Sequence, residues 1–405
     1  MKTFILLFFF FLNFKSGSQA IDTAFFGIHN GNFLTQEQRI FFPTMRIWDM
    51  GVCWNQLEQR KGKWDFDRFD QIVSKADKGK IELVYTLGQT PNWASSRPDD
   101  TTGVYGKGAN YVPVSIALWE QYVRKVGERY KGKIRYYEIW NEPNFPIFFN
   151  GTVAEMRALT LSASKILKAI DPEIKIISPG IVAGSFDWLP TENNGTAWMT
   201  SYLNVMPPRS FDIVGAHFYT AENDVPEKEL IPLIRNFKKM LQENHVHKPV
   251  WNTEQGYGAM DPARRKNYSG DTATGIAVRT FLINLMEGVE RMYWYNWSDR
   301  SFCSLYLVEQ DGVTPTDAAR AIDFTRHWLK GKILVRSELM TGPVHILHFR
   351  NEENEKSAIA WSERENILSG PVVEGIKRIH SVRGTSTDFH AVEIKTSILP
   401  LFMEY

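Results

Sequence analysis

Ile134-Arg-Tyr-Tyr-Glu-Ile-Trp140 runs without a break into Asn141-Glu142-Pro143-Asn144. The β-branched and aromatic residues of the first part read as a buried strand. Proline cannot extend a hydrogen-bonded ladder, so the strand is expected to stop with Glu142 at its carboxyl end. In a barrel of parallel strands that end faces the catalytic mouth, where a carboxylate meets a substrate instead of packing in the core. Glu142 is on this argument a candidate acid/base.

Outward from this stretch, short apolar runs alternate with helical patterns. Upstream strands are expected at Phe25–Ile28, leading to His29, at Thr44–Trp48 and at Ile81–Leu87, with a short helix over Gln36–Phe42 and another over Phe66–Lys78. Ile116, Trp119, Tyr122, Val123, Val126 and Tyr130 recur at helical spacing and deliver the chain to the central strand. Downstream come a helix over Val153–Ile170, a strand at Ile174–Ser178, a strand at Phe211–His217 and a helix over Glu227–Glu243. Pro249–Thr253 is a seventh strand ending at Glu254, and Val289–Trp297 an eighth, with helices over Thr272–Glu287 and Asp317–Leu329. Eight strands alternating with helices predict an α/β fold, a parallel sheet closed into an eight-stranded β/α (TIM) barrel. From residue 332 to 405 the runs shorten and alternate, as in Val344–Phe349 and Ser357–Trp361, which predicts a small antiparallel all-β domain, with residues just after the leader helping to complete it.

The chain has 405 residues, of which 47 are basic and 46 acidic, so no global field favours nucleic acid or a membrane surface. A neutral, polar partner such as a carbohydrate suits that balance. Residues 1–20 carry Lys2, an apolar run from Phe4 to Leu12 and Ser18-Gln19-Ala20, the pattern of a secretory leader. Spanning a bilayer takes about 20 apolar residues, and Asn13 and Lys15 interrupt this run. The expected organisation is a leader at 1–20, a barrel at 21–331 and the β domain at 332–405, with the mature chain secreted, periplasmic or at the cell surface and without a membrane span. Cys53 and Cys303 are too few for a disulfide scaffold or a zinc site; either they form one bridge or they stand as two thiols. No cluster of metal ligands, phosphate loop or dinucleotide fingerprint is present in the sequence, so no cofactor is implied.

Glu142 and Glu254, ending the fourth and seventh strands, point into one mouth from opposite walls. A single glutamate at a strand end is more often solvated or structural; the pair at these two strands is what glycosidic cleavage requires. One carboxyl group protonates the leaving oxygen and the other attacks the anomeric carbon. Glu142 is therefore expected as acid/base and Glu254 as nucleophile.

Ile139-Trp-Asn-Glu-Pro-Asn144 and Trp251-Asn-Thr-Glu-Gln-Gly256 resemble the two glutamate motifs of clan A retaining glycoside hydrolases. Arg46, Trp54 with Leu57-Glu58, Gly62-Lys-Trp-Asp-Phe66 and Ala216-His-Phe-Tyr219 extend the resemblance over nearly the whole barrel, and family 39 with its exopolysaccharide-cleaving relatives looks nearest. Gln255, where family 39 xylosidases tend to carry Phe-Asn, departs from the pattern. The resemblance implies that Asn141 binds the sugar 2-hydroxyl, that Tyr219 hydrogen-bonds Glu254, and that Arg46 keeps Glu254 ionised for attack. It also implies Trp297, or else Trp294, as a platform under the sugar, and a separation of about 5 to 5.5 Å between the carboxyl groups.

His29 and His217, at strand ends, are candidates for substrate contact or for hydrogen bonding behind the site. Trp54, Trp93, Phe145, Phe148 and Phe149 sit in or beside loops and either line further subsites or pack within those loops. Sequons occur at Asn150, Asn194, Asn267 and Asn296, the last inside an expected strand. The sequence favours an endo-acting groove bordered by the long loops after strands three and eight, against an exo-acting, β-xylosidase-like pocket or a non-catalytic carbohydrate-binding barrel.

Overall fold

The structure is a computed structural model and describes residues 19–184, 190–207, 209–220, 225–258, 263, 265–298 and 300–405. The expected leader, save for Gln19 and Ala20, lies outside the described residues.

One parallel sheet contains β1 (Phe26–Ile28), β2 (Thr44–Ile47), β3 (Glu82–Leu87), β4 (Tyr136–Ile139), β5 (Lys175–Ile177), β6 (Ile181–Val182), β7 (Val214–His217), β8 (Val250–Gln255) and β9 (Arg291–Trp294). Its order is β5-β4-β3-β2-β1-β9-β8-β7-β6. β5 and β6 thus stand at the two ends of the sheet, although only Ser178-Pro179-Gly180 separates them in sequence. They are halves of one strand. Ile177 bridges Ile213 and Asn141 bridges Gly180, both in parallel, and Ser178 N–H donates to the Ile213 carbonyl at 2.9 Å. The sheet therefore closes into the expected barrel of eight, with its fifth strand interrupted where Pro179 has no N–H to give.

The helices are α1 (Trp54–Leu57), α2 (Asp67–Lys78), α3 (Ile116–Arg129), α4 (Val153–Ile170), α5 (Gly195–Val205), α6 (Glu227–Glu243), α7 (Gly270–Met286) and α8 (Asp317–Leu329). α3 buries Trp119, Tyr122, Val123 and Val126 against the sheet. α4 opens with a capping box in which Thr152 and Glu155 serve each other's backbone N–H. One expected helix needs correction. Gln36–Phe42 is not a helix; the chain there is irregular, with bends at Gln36 and Ile40. α5 was not expected, because Asn193-Asn-Gly195 reads as a turn and the following Thr, Tyr and Val weaken the helical signal.

Alternation along the strands fills the barrel in layers. Val84, Ile177, Ile213, Trp251 and Tyr293 form a buried cluster at the lower level. One pleat higher, Thr86 pairs in register with Glu138 across β3 and β4, and Arg46 joins them from β2. A charged layer therefore rests on an apolar plug, at the foot of the mouth.

Beyond α8 the chain is antiparallel, with β10 (Ile333–Met340), β11 (Val344–Arg350), β12 (Lys356–Ser362), β13 (Asn366–Ser369), β14 (Arg378–Ser381), β15 (Ser386–Asp388), β16 (Glu393–Thr396) and β17 (Leu401–Glu404). Six of these pair as β10-β11-β12-β17-β14-β15, and β13 pairs with β16 alone. Leu347, Phe349, Ile359, Trp361 and Phe402 belong to the barrel's own core cluster, whereas Val344, Ile346, Ala358, Ala360 and Met403 pack with Leu368 of β13 and Ile394 of β16. The period of two thus sends one face of the sheet to the barrel and the other to the small ribbon. Ile21 is tied by backbone hydrogen bonds to Gly331 and Lys332 at the junction, while β1 goes to the barrel and not to this sheet.

The junction is charged as well as apolar. Glu227 on α6 accepts from Trp361 Nε1 at 2.8 Å and pairs with Arg279 on α7 at 3.0 Å. His345 stacks on Trp361 with ring centroids 5.1 Å apart. Burial, then the nearby Arg279 and Arg235, pushes His345 down to about 4 from its ordinary 6.5. A depressed basic pKa means that folding favours the neutral ring, so this contribution is present above pH ~6.5 and is lost as pH falls toward 4. Urea unfolding at neutral pH and near pH 4 is expected to show about 3 kcal/mol less acid loss for His345→Phe than for the parent protein. Equal losses in the two would show that His345 is not the group responsible.

Candidate active site

The strand expected to end on Glu142 ends earlier, at Ile139. Trp140 and Glu142 then take left-handed backbone angles, φ 65° and 44°, a conformation uncommon outside glycine and enriched at functional sites. Glu142 N–H donates to the Gly180 carbonyl at 2.7 Å, which fixes the turn against the interrupted fifth strand. Its carboxyl group lies under the mouth, 6% exposed.

Glu254 arrives by a different device. β7 and β8 pair Ala216 with Asn252 but His217 with Glu254, so Thr253 is an extra residue on β8. Such a bulge re-aims the side chains beyond it. Glu254 turns into the mouth, 7% exposed, and Gln255 turns outward to accept from Asn284 Nδ2 of α7 at 2.9 Å.

Arg46 joins the two walls. Fully buried, its guanidinium donates Nε to Glu138 Oε2 at 2.7 Å, Nη1 to Glu254 Oε2 at 2.7 Å and Nη2 to Asn141 Oδ1 at 2.8 Å. Thr86 Oγ1 also donates to Glu138 Oε2 at 2.7 Å. Tyr219 Oη donates to Glu254 Oε1 at 2.9 Å, and His217 Nδ1 stands 2.8 Å from Glu142 Oε1. His29 lies behind these groups, its Nε2 3.1 Å from the Thr253 carbonyl.

The two carboxyl groups face each other closely. Oxygens of Glu142 and Glu254 and a ring nitrogen of His217 all lie within 4.8 Å of one another. To close on a cation, the three would have to give up Glu142's proton, since metal ligation needs deprotonated groups. Burial raises both carboxyls. It takes Glu142 well above the ordinary range, with the charge of Glu254 adding to the effect. It pushes Glu254 up to about 7, with Arg46 and the Tyr219 hydrogen bond opposing. Glu254 receives two donors, one of them cationic, and Glu142 faces an imidazole that burial keeps neutral. The proton therefore belongs on Glu142 and the charge on Glu254.

Arg46, Asn141, Glu142, His217, Tyr219 and Glu254 thus converge, with His29 beneath. Trp297 does not join them. Both Trp297 and Trp294 are fully buried in the core, so neither presents a ring face to a sugar; β9 ends at Trp294 and aims its next residue into the mouth instead. That residue, Tyr295, is half-buried and donates to Asp49 Oδ2 at 2.7 Å. Phe302, also half-buried, meets the rings of Tyr219 at 6.0 Å and Tyr295 at 5.9 Å. Trp54 stacks inside the fold on Tyr122 at 4.9 Å, and Phe149 is buried against Trp140. Trp93 is half-buried and donates its Nε1 to the Glu58 carbonyl at 2.7 Å. Phe145 and Phe148 stay half-exposed at the rim, the latter 6.1 Å from Tyr105. Cys53 and Cys303 are separate buried thiols, and Asn296 is buried, unsuited to glycosylation.

Sequence reasoning missed Glu138. Its signal was present: an acidic residue inside a strand that is otherwise apolar must be paired when buried.

A sequence profile of the glycosyl hydrolase catalytic core matches residues 51–321. The chain belongs to the glycosyl hydrolase catalytic core family. A β-xylosidase of Geobacillus stearothermophilus is 26% identical over 220 residues, which are 51% of this chain but only 40% of that protein. A family 39 glycoside hydrolase from Bacteroides cellulosilyticus superposes with a TM-score of 0.69 at 19% identity, covering 90% of this chain and 75% of the other. A family 39 β-xylosidase from Caulobacter crescentus gives 0.64 at 15%, over 96% and 98% of the two chains. A family 30 endoxylanase from Clostridium papyrosolvens gives 0.60 at 12%, over 96% and 97%. These structures share the barrel with its attached β domain as a fold. The described residues contain no helix long and apolar enough to cross a membrane.

Proposed function

We propose that this member of the glycosyl hydrolase family is a retaining glycosidase that hydrolyses the O-glycosidic bonds of a β-linked oligo- or polysaccharide. Glu142 serves as acid/base and Glu254 as nucleophile. The observation that carries the reading is the unequal environment of two closely facing carboxyl groups: Glu254 held by Arg46 and Tyr219, Glu142 by a neutral imidazole. In the first step Glu254 attacks the anomeric carbon while Glu142 protonates the departing oxygen. In the second, Glu142 takes a proton from water, which displaces Glu254 from the sugar. Asn141, anchored through its Oδ1 on Arg46, has its amide nitrogen for the sugar 2-hydroxyl.

A β-xyloside is the first substrate to try, because the G. stearothermophilus relative bears the name β-xylosidase. Cleavage within chains is the expected mode. The long loop after β3 is tied sideways to the loop after β4, with Asn110 Nδ2 donating to the Pro146 carbonyl at 2.9 Å and Asn150 N–H to the Asn110 carbonyl at 2.6 Å. A loop tied to its neighbour in this way suits a border of the mouth better than a cap over it. Export follows from the leader pattern of residues 1–20.

The anomer released first decides the mechanism. Proton NMR during hydrolysis of a β-aryl xyloside or β-xylo-oligomer is expected to show the β anomer before mutarotation. First appearance of the α anomer would mean inversion, and Glu254 would then not be a nucleophile.

A further inference from the structure

We infer that Glu138 is a positioning residue for the acid/base: it holds His217 in the Nε2-protonated form, so that Nδ1 is a bare acceptor for the carboxylic proton of Glu142. The inference rests on the reading of Glu142 as acid/base and adds how its proton is kept.

Glu138 Oε2 is taken up by Arg46 and Thr86, but Glu138 Oε1, fully buried, has no hydrogen-bond partner. The same is true of His217 Nε2. These two atoms face one spot at the centre of the barrel. A methyl group placed on Gly180 would come 2.5 Å from Glu138 Oε1 and 2.8 Å from His217 Nε2, with Thr253 Oγ1 at 3.1 Å. Glycine at 180 is what lets the carboxylate and the imidazole approach, since any side chain there would stand between them.

Charge, more than a count of donors, favours one tautomer. A carboxylate paired with Arg46 can only accept. Thr86 spends its O–H on Oε2, and Thr253 Oγ1 is a second unpartnered hydroxyl at the same spot, but the negative charge of Glu138 beside Nε2 favours the tautomer that carries its N–H there, linked to Oε1 through one bridging water. A neutral imidazole has one N–H; if it is at Nε2, Nδ1 carries only a lone pair. The 2.8 Å contact to Glu142 Oε1 is then O–H···N, donated by the acid. A hydrogen bond that exists only in the protonated form favours that form, in the same direction as burial and the charge of Glu254.

During the first displacement the leaving oxygen competes with Nδ1 for this proton. The O–H bond at Glu142 breaks as one forms on the leaving group and the glycosidic C–O bond opens. In the second, a proton from water restores the O–H and its bond to Nδ1. The charged and titratable groups around the pair are Arg46 on β2, His29 at the end of β1, Glu138 on β4, Tyr219 beyond β7 and Glu254 on β8.

Long-range nitrogen–proton NMR on the full chain labelled with 15N-histidine reads the tautomer without altering the site, the signal being assigned by its loss in His217→Gln. The expected result at neutral pH is a neutral ring protonated at Nε2. Protonation at Nδ1, or a charged ring, would overturn the inference. Glu138→Gln gives an independent readout. For a glycoside with a poor leaving group, the alkaline limb of kcat/KM is expected to move down by about one pH unit, while an activated aryl glycoside, which needs little acid help, is spared. An unmoved limb, or equal loss on both substrates, would reduce Glu138 to a structural partner of Arg46. If Glu138→Gln does not fold, the NMR result on the parent protein decides alone. If the parent cleaves no glycoside, the acid/base reading fails, and the tautomer still reports whether Glu138 orients His217.

Discussion

Glu254→Gln is expected to lower turnover of the best β-glycoside by about 10⁴-fold or more, the scale seen when a catalytic group acting as part of a unit is removed. The amide keeps the shape of the side chain: its one carbonyl oxygen can accept from Arg46 Nη1, and its NH2 then faces Tyr219 Oη, which must turn its O–H away and accept instead. What it loses is the negative charge and the nucleophilic oxygen, so no glycosyl-enzyme ester can form. Stability should change little, because Arg46 keeps its pairing with Glu138 at 2.7 Å and sheds a neighbour that burial had already made costly to ionise. Activity and thermal unfolding must therefore be measured on the same sample. A variant that folds normally and hydrolyses as the parent does would remove Glu254 from the mechanism.

Arg46→Leu is expected to have the reverse balance, a large loss of stability together with the loss of activity. One guanidinium, at 0% exposure, serves three acceptors: Glu138 on β4, Asn141 just beyond it and Glu254 on β8. Removing one partner of a buried ion pair typically costs 3–5 kcal/mol, since an uncompensated charge stays behind; for a chain of this size that is a drop on the order of 10 °C in Tm. The sign with pH follows. Without Arg46, a carboxyl left buried has its folded pKa above its unfolded value, so the variant is relatively most stable in acid and weakens as pH rises through the folded pKa. Denaturant titrations at several pH values check this. A leucine variant as stable as the parent, or one whose deficit does not grow with pH, would show that the three contacts do not depend on this charge.

Much of the site was legible because its parts break local rules. Pro143 follows an acid just beyond an apolar strand, Glu254 is an acid at the far end of another, and Arg46 is a charge inside an apolar run. Such conflicts between pattern and residue type mark function. Where the sequence failed, the cause was geometry carried by the backbone. Nothing in Thr253 announces the bulge that turns Glu254 inward, and a tryptophan at 297 reads the same whether its ring faces solvent or core. The interrupted fifth strand was hidden for a related reason: Ser178-Pro-Gly180 resembles the end of a strand, and only the parallel bridges across it show that the strand resumes. Glu138 differs from these, since an acid between Tyr137 and Ile139 is visible in the sequence alone.

The apolar interior shared by the barrel and the antiparallel sheet bears on how such genes are cut and recombined. Phe402 lies 5.1 Å from both Phe324 and Trp328 of α8, and Phe349 lies 5.9 Å from Trp328. A crossover placed at residue 331 would leave those rings facing water on one fragment and their partners facing water on the other. The transferable unit is the barrel together with the sheet, and a chimera that exchanges only one of them must redesign the seam as though it were a new subunit interface.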